Sequence, residues 1–549
     1  MDFDVLLKKI GGFGRYQKIR LCLICLVGTI CAFHSMNMVF VGAKPEFECT
    51  LSSEKYSDKL LSNVSLEKWI ALLRTEDECS LRNIHQASDF IKNGSLVFES
   101  NATDLFGIKT APCTKWEYST EIYGPTITSD FNLVCSQAWL RSTSKTLYFF
   151  GRLLGALIFG QLSDIFGRKP MFFTGLLSLL LAGCVAGAAP SMAVFIPFYI
   201  LQGAAQTGLF LVAYIMCTEL VETRFRLLAG HMITSFYAVG YVLLSLLAYY
   251  IRHWRYIEVV ITVPVILFAV YWCILPESVR WLLTQNRLDE AKSIIKRVAK
   301  TNKMEVTEAM LEQLTADNEI KPEVTDDRKY TLIDLFRPLP MFFLSANVWF
   351  NWFVNSFVYY GLSLGVGSIG GSPYINFSIA GAVEIPGNIL CVLFLNRLGR
   401  RLPLMAAMTA SGIACVISGF IPSDMMTAKV AFALIGKFCI SISYGIIYLM
   451  SAEVFPTVVR NAGMGVSSVC ARVGGMLAPQ VLELDQIWAP LPMLILGSFT
   501  VVAGLVALLL PETTGRPMPQ TIEEALSNRS RSIKMDKKIE IEKINCEKE

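Results

Sequence analysis

Apolar residues in this chain come in runs of about 20, the length at which a helix crosses the hydrocarbon of a bilayer, and such runs recur along the whole sequence. They lie at 21–41, 146–163, 171–189, 193–217, 228–251, 256–275, 341–362, 374–395, 403–421, 427–450, 462–481 and 489–510. No soluble core accommodates that pattern. Of the 549 residues 53% are hydrophobic and only 17% charged, against about a quarter charged in soluble domains. The expectation is an all-α membrane protein whose main partner is the lipid bilayer. The first run exceeds the roughly 7 to 15 apolar residues of a secretory signal and ends in no small-residue cleavage pattern, so it reads as a retained span.

Basic residues set the orientation. Lys8, Lys9, Arg15, Lys18 and Arg20 precede the first run, and the short loops carry Arg168, Lys169, Arg224, Arg226, Arg397, Arg400, Arg401 and Arg460. Cytoplasmic loops of membrane proteins are enriched in Lys and Arg, which places both termini in the cytoplasm. Arg252 and Arg255, between runs five and six, fall on the other side and are discordant. The net charge of +4 is spread over loops rather than gathered in a patch with interleaved aromatics, so nucleic acid is excluded as a partner.

Residues 43–139 form a long polar segment that this topology puts outside the cell. It holds three N-x-S/T acceptors, Asn63, Asn93 and Asn101, and four cysteines, Cys49, Cys79, Cys113 and Cys135. An even cysteine count in an oxidising compartment predicts two disulfides, with three connectivities open. A second polar segment, 276–340, has Glu, Lys, Arg and Leu at helical spacing and reads as short amphipathic cytoplasmic helices joining two membrane halves, 21–275 and 341–511. Residues 1–20 and 512–549 are then a cytoplasmic N-terminus and tail.

The halves resemble each other. Asp164-Ile-Phe-Gly167-Arg168-Lys169 follows the second run and Asn396-Arg-Leu-Gly-Arg400-Arg401 follows the eighth, at an offset of 396 − 164 = 232. Glu219 through Arg226 closes the fourth run and Glu453 through Arg460 the tenth, at 453 − 219 = 234. Pro276-Glu-Ser and Pro511-Glu-Thr end runs six and twelve, at 511 − 276 = 235. Twelve transmembrane helices therefore divide into two pseudo-symmetric six-helix halves, the arrangement of carriers that alternate access around a site at the bilayer midplane. Charges at matched helix ends are placed to make and break ion pairs as the halves rock, which gives Asp164, Gly167, Arg168, Glu219, Arg226, Arg400, Glu453 and Arg460 a conformational role. The competing reading of the basic ones is membrane anchoring.

Gly160-Gln-Leu-Ser-Asp-Ile-Phe-Gly-Arg-Lys169 resembles the loop signature of the major facilitator superfamily. Asp130-Phe-Asn-Leu-Val-Cys135, Pro276-Glu-Ser-Val-Arg-Trp-Leu282, Val383-Glu-Ile-Pro386, Gly436-Lys-Phe438 and Pro456-Thr-Val-Val-Arg-Asn461 resemble solute carrier family 22, over essentially residues 1–525, and look closest to its organic cation/carnitine branch, including the insect-type organic cation transporters. The resemblance implies the major facilitator fold, a plasma-membrane transporter and no enzymatic activity.

Charges inside spans are costly and therefore functional candidates; they are Arg152, Glu219, Glu384, Lys437 and Arg472, with Glu384 read as the one acid well inside a span. By resemblance, Arg472 stands where dedicated cation carriers are expected to have Asp and anion and carnitine carriers Arg. Lys437 and Gln206 resemble the carnitine branch, in which the equivalent Gln is associated with sodium coupling. Trp352 and Tyr359, and Phe353 and Tyr360, recur at i, i+7, and Phe210 and Tyr214 at i, i+4, so each pair shares a helix face. Aromatic faces attract quaternary ammonium groups by up to about 2 kcal/mol when desolvated. A small organic cation or zwitterion is thus expected as substrate, its carboxylate on Arg472 and its cationic group near Glu384 and the rings. Packing among helices is the competing reading of the aromatics, and neutralisation of Glu384 that of Lys437 and Arg472.

Two other function classes compete. An organic anion exchanger fits the basic excess, although anion carriers are expected to have a second Lys where this chain has Asn388; a non-transporting receptor on the same fold leaves the paired loop signatures unused. Gly365-Val-Gly-Ser-Ile-Gly370 matches G-x-G-x-x-G with no strand before it and reads as a turn. His34, His85, His231 and His253 show no metal-ligand spacing, so no metal and no resident cofactor are expected.

Overall fold

A computed structural model of the chain describes residues 3–49, 79–82, 91–92, 95–96, 110–308, 310–311, 313–314, 332–367, 369–515 and 518–527. Asn63, Asn93 and Asn101 lie outside the described residues. Contacts divide the rest into two units, one of Met1–Val39, Thr143–Ile251 and Arg255–Glu549, the other of Phe40–Ser142 with Arg252–Trp254.

A short helix, α1 (Phe3–Lys9), precedes α2 (Arg15–Met36), α3 (Trp139–Phe166), α4 (Arg168–Gly187), α5 (Met192–Leu220), α6 (Arg226–Tyr250) and α7 (Trp254–Thr262). The last winds on through a 3-10 segment, Val263–Val270, entered at Pro264, to Tyr271–Ile274. Two short helices, α8 (Val279–Thr284) and α9 (Leu288–Asn302), lead to α10 (Leu339–Gly365), α11 (Pro373–Ala382), α12 (Glu384–Leu398), α13 (Arg401–Phe420), α14 (Met426–Val454), α15 (Arg460–Leu482) and α16 (Leu491–Ala507). With α11 and α12 taken as one span interrupted at Val383, each predicted run has its helix. The first long helix starts at Arg15 rather than 21, so Lys18 and Arg20 lie on its first two turns.

Among the described residues nine helical segments are long and apolar enough to cross a membrane. The other three are α10, α15 and the 17-residue α16. The first two are more polar because they face inward. On α10, Asn347 Nδ2 donates to the Val506 carbonyl, Asn351 Nδ2 to the Asn347 carbonyl and Asn355 Nδ2 to the Asn351 carbonyl, at 2.8, 3.0 and 2.8 Å. Pairing of this kind offsets the cost of carrying an amide inside a span. Small residues let helices close up elsewhere: a Cβ added at Gly151 or Gly155 of α3 would strike the Ile200 or Ala204 carbonyl of α5.

Below the spans, α1 packs its Phe3, Leu6 and Leu7 on Trp281, Leu282, Ile295 and Val298 of α8 and α9. Asp4 pairs with Arg280 and, at 3.2 Å, with Arg226.

The second unit holds antiparallel ladders, β1 (Phe47–Cys49) with β6 (Trp116–Tyr118), β2 (Ser80–Arg82) with β5 (Thr110–Pro112), and β3 (Ile91–Lys92) with β4 (Ser95–Leu96). Cys49 pairs with Cys113 and Cys79 with Cys135, at Cα separations of 6.0 and 5.5 Å. Arg252 Nη1 donates to the Glu121 carbonyl, and Trp254 Nε1 to Asp130 Oδ2 at 2.8 Å. The discordant Arg252 is therefore part of this unit. Arg255, within the first, donates to the Gly187 and Ala189 carbonyls and so satisfies the C-terminal end of α4.

Candidate substrate site

At the centre of the helical unit Lys437 of α14 and Glu384 of α12 form an ion pair of 2.8 Å, and only 1% and 6% of these residues are exposed. Lys437 Nζ also donates to Ser363 Oγ at 2.7 Å and stands 3.2 Å from the Tyr359 ring centroid. The Tyr359 hydroxyl donates to Glu384 Oε1 at 2.8 Å, and Tyr241, from α6 in the other half, donates to Tyr359 at 3.3 Å. The acid expected to meet a cationic group is therefore met by the chain's own ammonium. The pair is buried, hydrogen-bonded on both members and neutral as a unit, the arrangement in which a buried charge is tolerated.

Two guanidinium groups lie along the same tyrosine cluster without such compensation. Arg152 of α3 points inward rather than to lipid: its Nε donates to Thr207 Oγ1 at 3.0 Å, its Nη1 reaches Ser35 Oγ at 3.4 Å, and it sits 5.2 and 4.9 Å from the Phe149 and Tyr360 ring centroids. Thr207 in turn donates to Gln206 Oε1 at 3.1 Å. Arg472 of α15 spends Nη1 on the Ser468 carbonyl at 3.1 Å and leaves Nε buried without a partner. Both arginines act electrostatically on Tyr444 and Tyr448 of α14. Among the described residues neither pairs with a carboxylate, and Arg472 does not touch Glu384.

The aromatic expectations divide. Trp352 donates from Nε1 to Ser451 Oγ at 2.7 Å and packs edge-on against Tyr448 with centroids 4.2 Å apart. Tyr359 and Tyr360 adjoin each other at 5.1 Å, and Phe210 meets Tyr237 at 5.8 Å. Tyr214 lies against Gly230 of α6, where an added Cβ would come 2.8 Å from its hydroxyl. Phe353 departs from its i, i+7 partner Tyr360. It stacks on Phe357, which abuts Phe499 of α16, whereas Tyr360 faces Phe149 at 4.6 Å.

The repeated loop signatures form two clusters with one geometry. In the first half Arg168 reaches Glu219 at 3.2 Å, Asp164 at 2.7 Å and the Ser163 carbonyl at 2.8 Å. In the second, Arg400 reaches Glu453 at 3.2 Å, Thr514 Oγ1 at 3.1 Å and the Leu395 carbonyl at 2.7 Å. Glu277 accepts from the Arg168 and Lys169 amides, and Glu512 from those of Arg400 and Arg401, all at 3.0–3.2 Å. A carboxylate on the open amides of a helix N-terminus is favourable both as acceptor and as charge. Gly167 and Gly399 make the approach possible. Their φ angles are +105° and +84°, and an added Cβ would lie 2.5 and 2.7 Å from the glutamate oxygens.

Two expected gating residues pair differently. Arg226 is tied to Asp4, and Arg460 donates to the Phe455 carbonyl and Thr457 Oγ1, both at 3.2 Å. The chain turns away after Glu219 and Glu453, so the arginine seven residues on cannot fold back; the partner comes from the loop two spans earlier.

Sequence reasoning missed Glu277 and Glu512, quoted only as repeat markers, although a Glu beside Pro at matched positions in both halves was the available signal. It missed Tyr241, Tyr444 and Tyr448, which no spacing separates from packing tyrosines. It also missed Glu258, near the start of α7, which is 1% exposed.

Residues 107–525 match the family described as Sugar (and other) transporter. The chain is 43% identical over 528 residues to the organic cation transporter protein of Drosophila melanogaster, covering 95% of this chain and 94% of that one. It is 32% identical over 540 residues to solute carrier family 22 member 3 of Mus musculus, with 95% of each covered. Among solved structures, the proton:xylose symporter XylE bound to 6-bromo-6-deoxy-D-glucose superposes with a TM-score of 0.59, covering 93% of this chain and 98% of its own, at 14% identity, a likeness of fold alone. Repeated halves, a buried ion pair among tyrosines and these relatives lead to one conclusion: the chain belongs to solute carrier family 22 of the major facilitator superfamily, a multi-pass carrier of organic solutes and not an enzyme.

Proposed function

We propose that this chain moves small organic cations or zwitterions of the carnitine type across the plasma membrane by alternating access, with both termini in the cytoplasm and the cysteine-bearing unit outside. The observation that carries the reading is the charge pattern of this buried cluster. A neutral Glu384–Lys437 pair ringed by tyrosines adjoins two guanidinium groups, Arg152 and Arg472, without carboxylate partners. Rings accept an ammonium group, and either arginine accepts a carboxylate. The name of the Drosophila relative agrees with the cationic part.

The same two arginines favour one alternative, an organic anion exchanger, in which the rings only line the path. Uptake of labelled carnitine, tetraethylammonium and para-aminohippurate into cells expressing the chain separates the two. Uptake of either of the first two above background is expected; para-aminohippurate alone would transfer the assignment to anions. Repeating the assay without sodium tests the sodium coupling attached to Gln206. A charge-assisted hydrogen bond is worth about 1.5–3 kcal/mol, so Arg472→Asp should reduce carnitine uptake roughly 10- to 100-fold and spare tetraethylammonium. Equal loss of both would remove Arg472 from the carboxylate role.

A further inference from the structure

One layer behind Arg152, within the first half, α2, α5 and α7 gather polar side chains that the tyrosine cluster does not use. Glu258, Asn37, Gln202, His34 and Tyr199 are all buried. Asn37 Nδ2 donates to Glu258 Oε2 at 2.7 Å and Gln202 Nε2 donates to Glu258 Oε1. The same Gln202 nitrogen lies 2.7 Å from His34 Nδ1, and the Tyr199 hydroxyl donates to Asn37 Oδ1 at 3.3 Å. Gly187 of α4 closes the remaining side, its added Cβ 3.3 Å from Glu258 Cβ.

Nothing in this nest balances a negative charge. The titratable groups facing Glu258 are His34 from α2 and, through Asn37, Tyr199 from α5; α4 offers only Gly187. On α7 itself Arg255 is engaged by the Gly187 and Ala189 carbonyls. Tyr148 and Arg152 of α3 stand further out, Tyr148 against the Tyr199 ring at 4.6 Å and Arg152 on Thr207 and Ser35. Among the described residues no Lys or Arg pairs with the Glu258 carboxylate. A carboxylate buried in a span without a counter-ion is costly and is a functional candidate by default. The nest is equipped for both forms. Two amide donors serve the ionised carboxylate, while Gln202 Oε1, buried with no partner, is the acceptor that the O–H of the acid needs once the amide turns over.

We propose that Glu258, backed by Gln202 and His34, is a proton-binding site of the transport cycle, so that solute movement is coupled to a proton gradient. In one arrangement of the halves the carboxylate forms an O–H bond with a proton delivered by water from one side; in the other that bond breaks and the proton leaves to the opposite side. No electrons change hands. The link to solute is short, because Arg152 reaches Ser35, the residue next to His34. The inference rests on the transport reading above.

The test is made in proteoliposomes loaded with a pH-sensitive dye and given carnitine, tetraethylammonium or para-aminohippurate at fixed sodium. An inward proton gradient is expected to raise the initial rate for the transported solute several-fold, with dye acidification that accompanies solute entry. Glu258→Gln should keep exchange at equal pH and lose the gradient response. Wild-type uptake indifferent to the gradient overturns the proposal, as does a Glu258→Gln variant that responds like wild type. If none of the three solutes moves, the transport reading fails first. The proton site is then decided on purified wild-type protein by infrared titration: a carboxylic-acid carbonyl band that changes with pH and is missing in Glu258→Gln supports it, and a spectrum without such a band overturns it.

Discussion

Deleting one member of the Glu384–Lys437 pair differs physically from deleting both. Lys437→Met leaves a buried carboxylate unpaired and Glu384→Gln leaves a buried ammonium, and breaking a buried pair in this way costs about 3–5 kcal/mol. Each single variant should lower the melting temperature of the purified carrier well below wild type, and the double variant should recover part of the loss; additive losses would show that the two charges are not coupled. Glu512 offers a pH test outside the spans. Burial pushes its carboxyl up, but amide hydrogen bonds from Thr514, Arg400 and Arg401 and the Thr514 hydroxyl outweigh this and hold it below the usual range. A carboxyl depressed on folding stabilises fully above its unfolded value, about 4.3 for Glu, and ceases to do so as pH falls through the lower folded value. The stability gap between wild type and Glu512→Gln should therefore be constant near neutrality and close below about pH 4; a gap that persists in acid would mean that the amides need no charge. At this scale the sequence discloses charges but not partners. Lys437, Glu384 and Arg472 stand out within apolar runs, yet which of them pair is decided by helices far apart in the chain. Glu258 escaped because it sits near the start of its run, three residues after Arg255, and reads as the polar edge of the span.

The twelve helices were legible because about 20 apolar residues admit few alternatives in a bilayer, and the repeat was legible because matched residues recur at nearly one offset. What was not legible depends on packing. The break at Val383, the 3-10 winding after Thr262 and the docking of α1 on α8 and α9 follow from neighbours rather than from local composition. The mirrored helix starts give a prediction for elements. An alanine at Gly167 or Gly399 must adopt an extended backbone at positive φ that only glycine takes freely, a strain of roughly 1–3 kcal/mol, and must also displace a glutamate from its amides. Gly167→Ala and Gly399→Ala should each slow uptake and lower the melting temperature by similar amounts, because the two sites have the same construction. A large effect at one and none at the other would mean that only one cluster takes part in the cycle.

Taken as a whole, the helical unit joins its halves through Tyr241 with Tyr359 and His231 with Asn388, and by further contacts at the end away from the loop signatures. Thr146 Oγ1 donates to the Met476 carbonyl and receives Gln480 Nε2, both at 3.0 Å, and Ser245 Oγ donates to the Tyr374 carbonyl at 2.6 Å. Alternating access requires these to part. Thr146→Cys with Gln480→Cys should form an oxidative cross-link that stops uptake and is reversed by reduction; undiminished uptake in fully cross-linked protein would show that this seam stays shut throughout the cycle. The second unit carries a consequence of another kind. Its disulfides interleave, Cys49 to Cys113 across Cys79 to Cys135, so a single cut anywhere between residues 50 and 134 leaves the two fragments covalently joined. A carrier nicked there by a protease runs as one band until it is reduced, and the scission is silent to every assay that does not break the bridges.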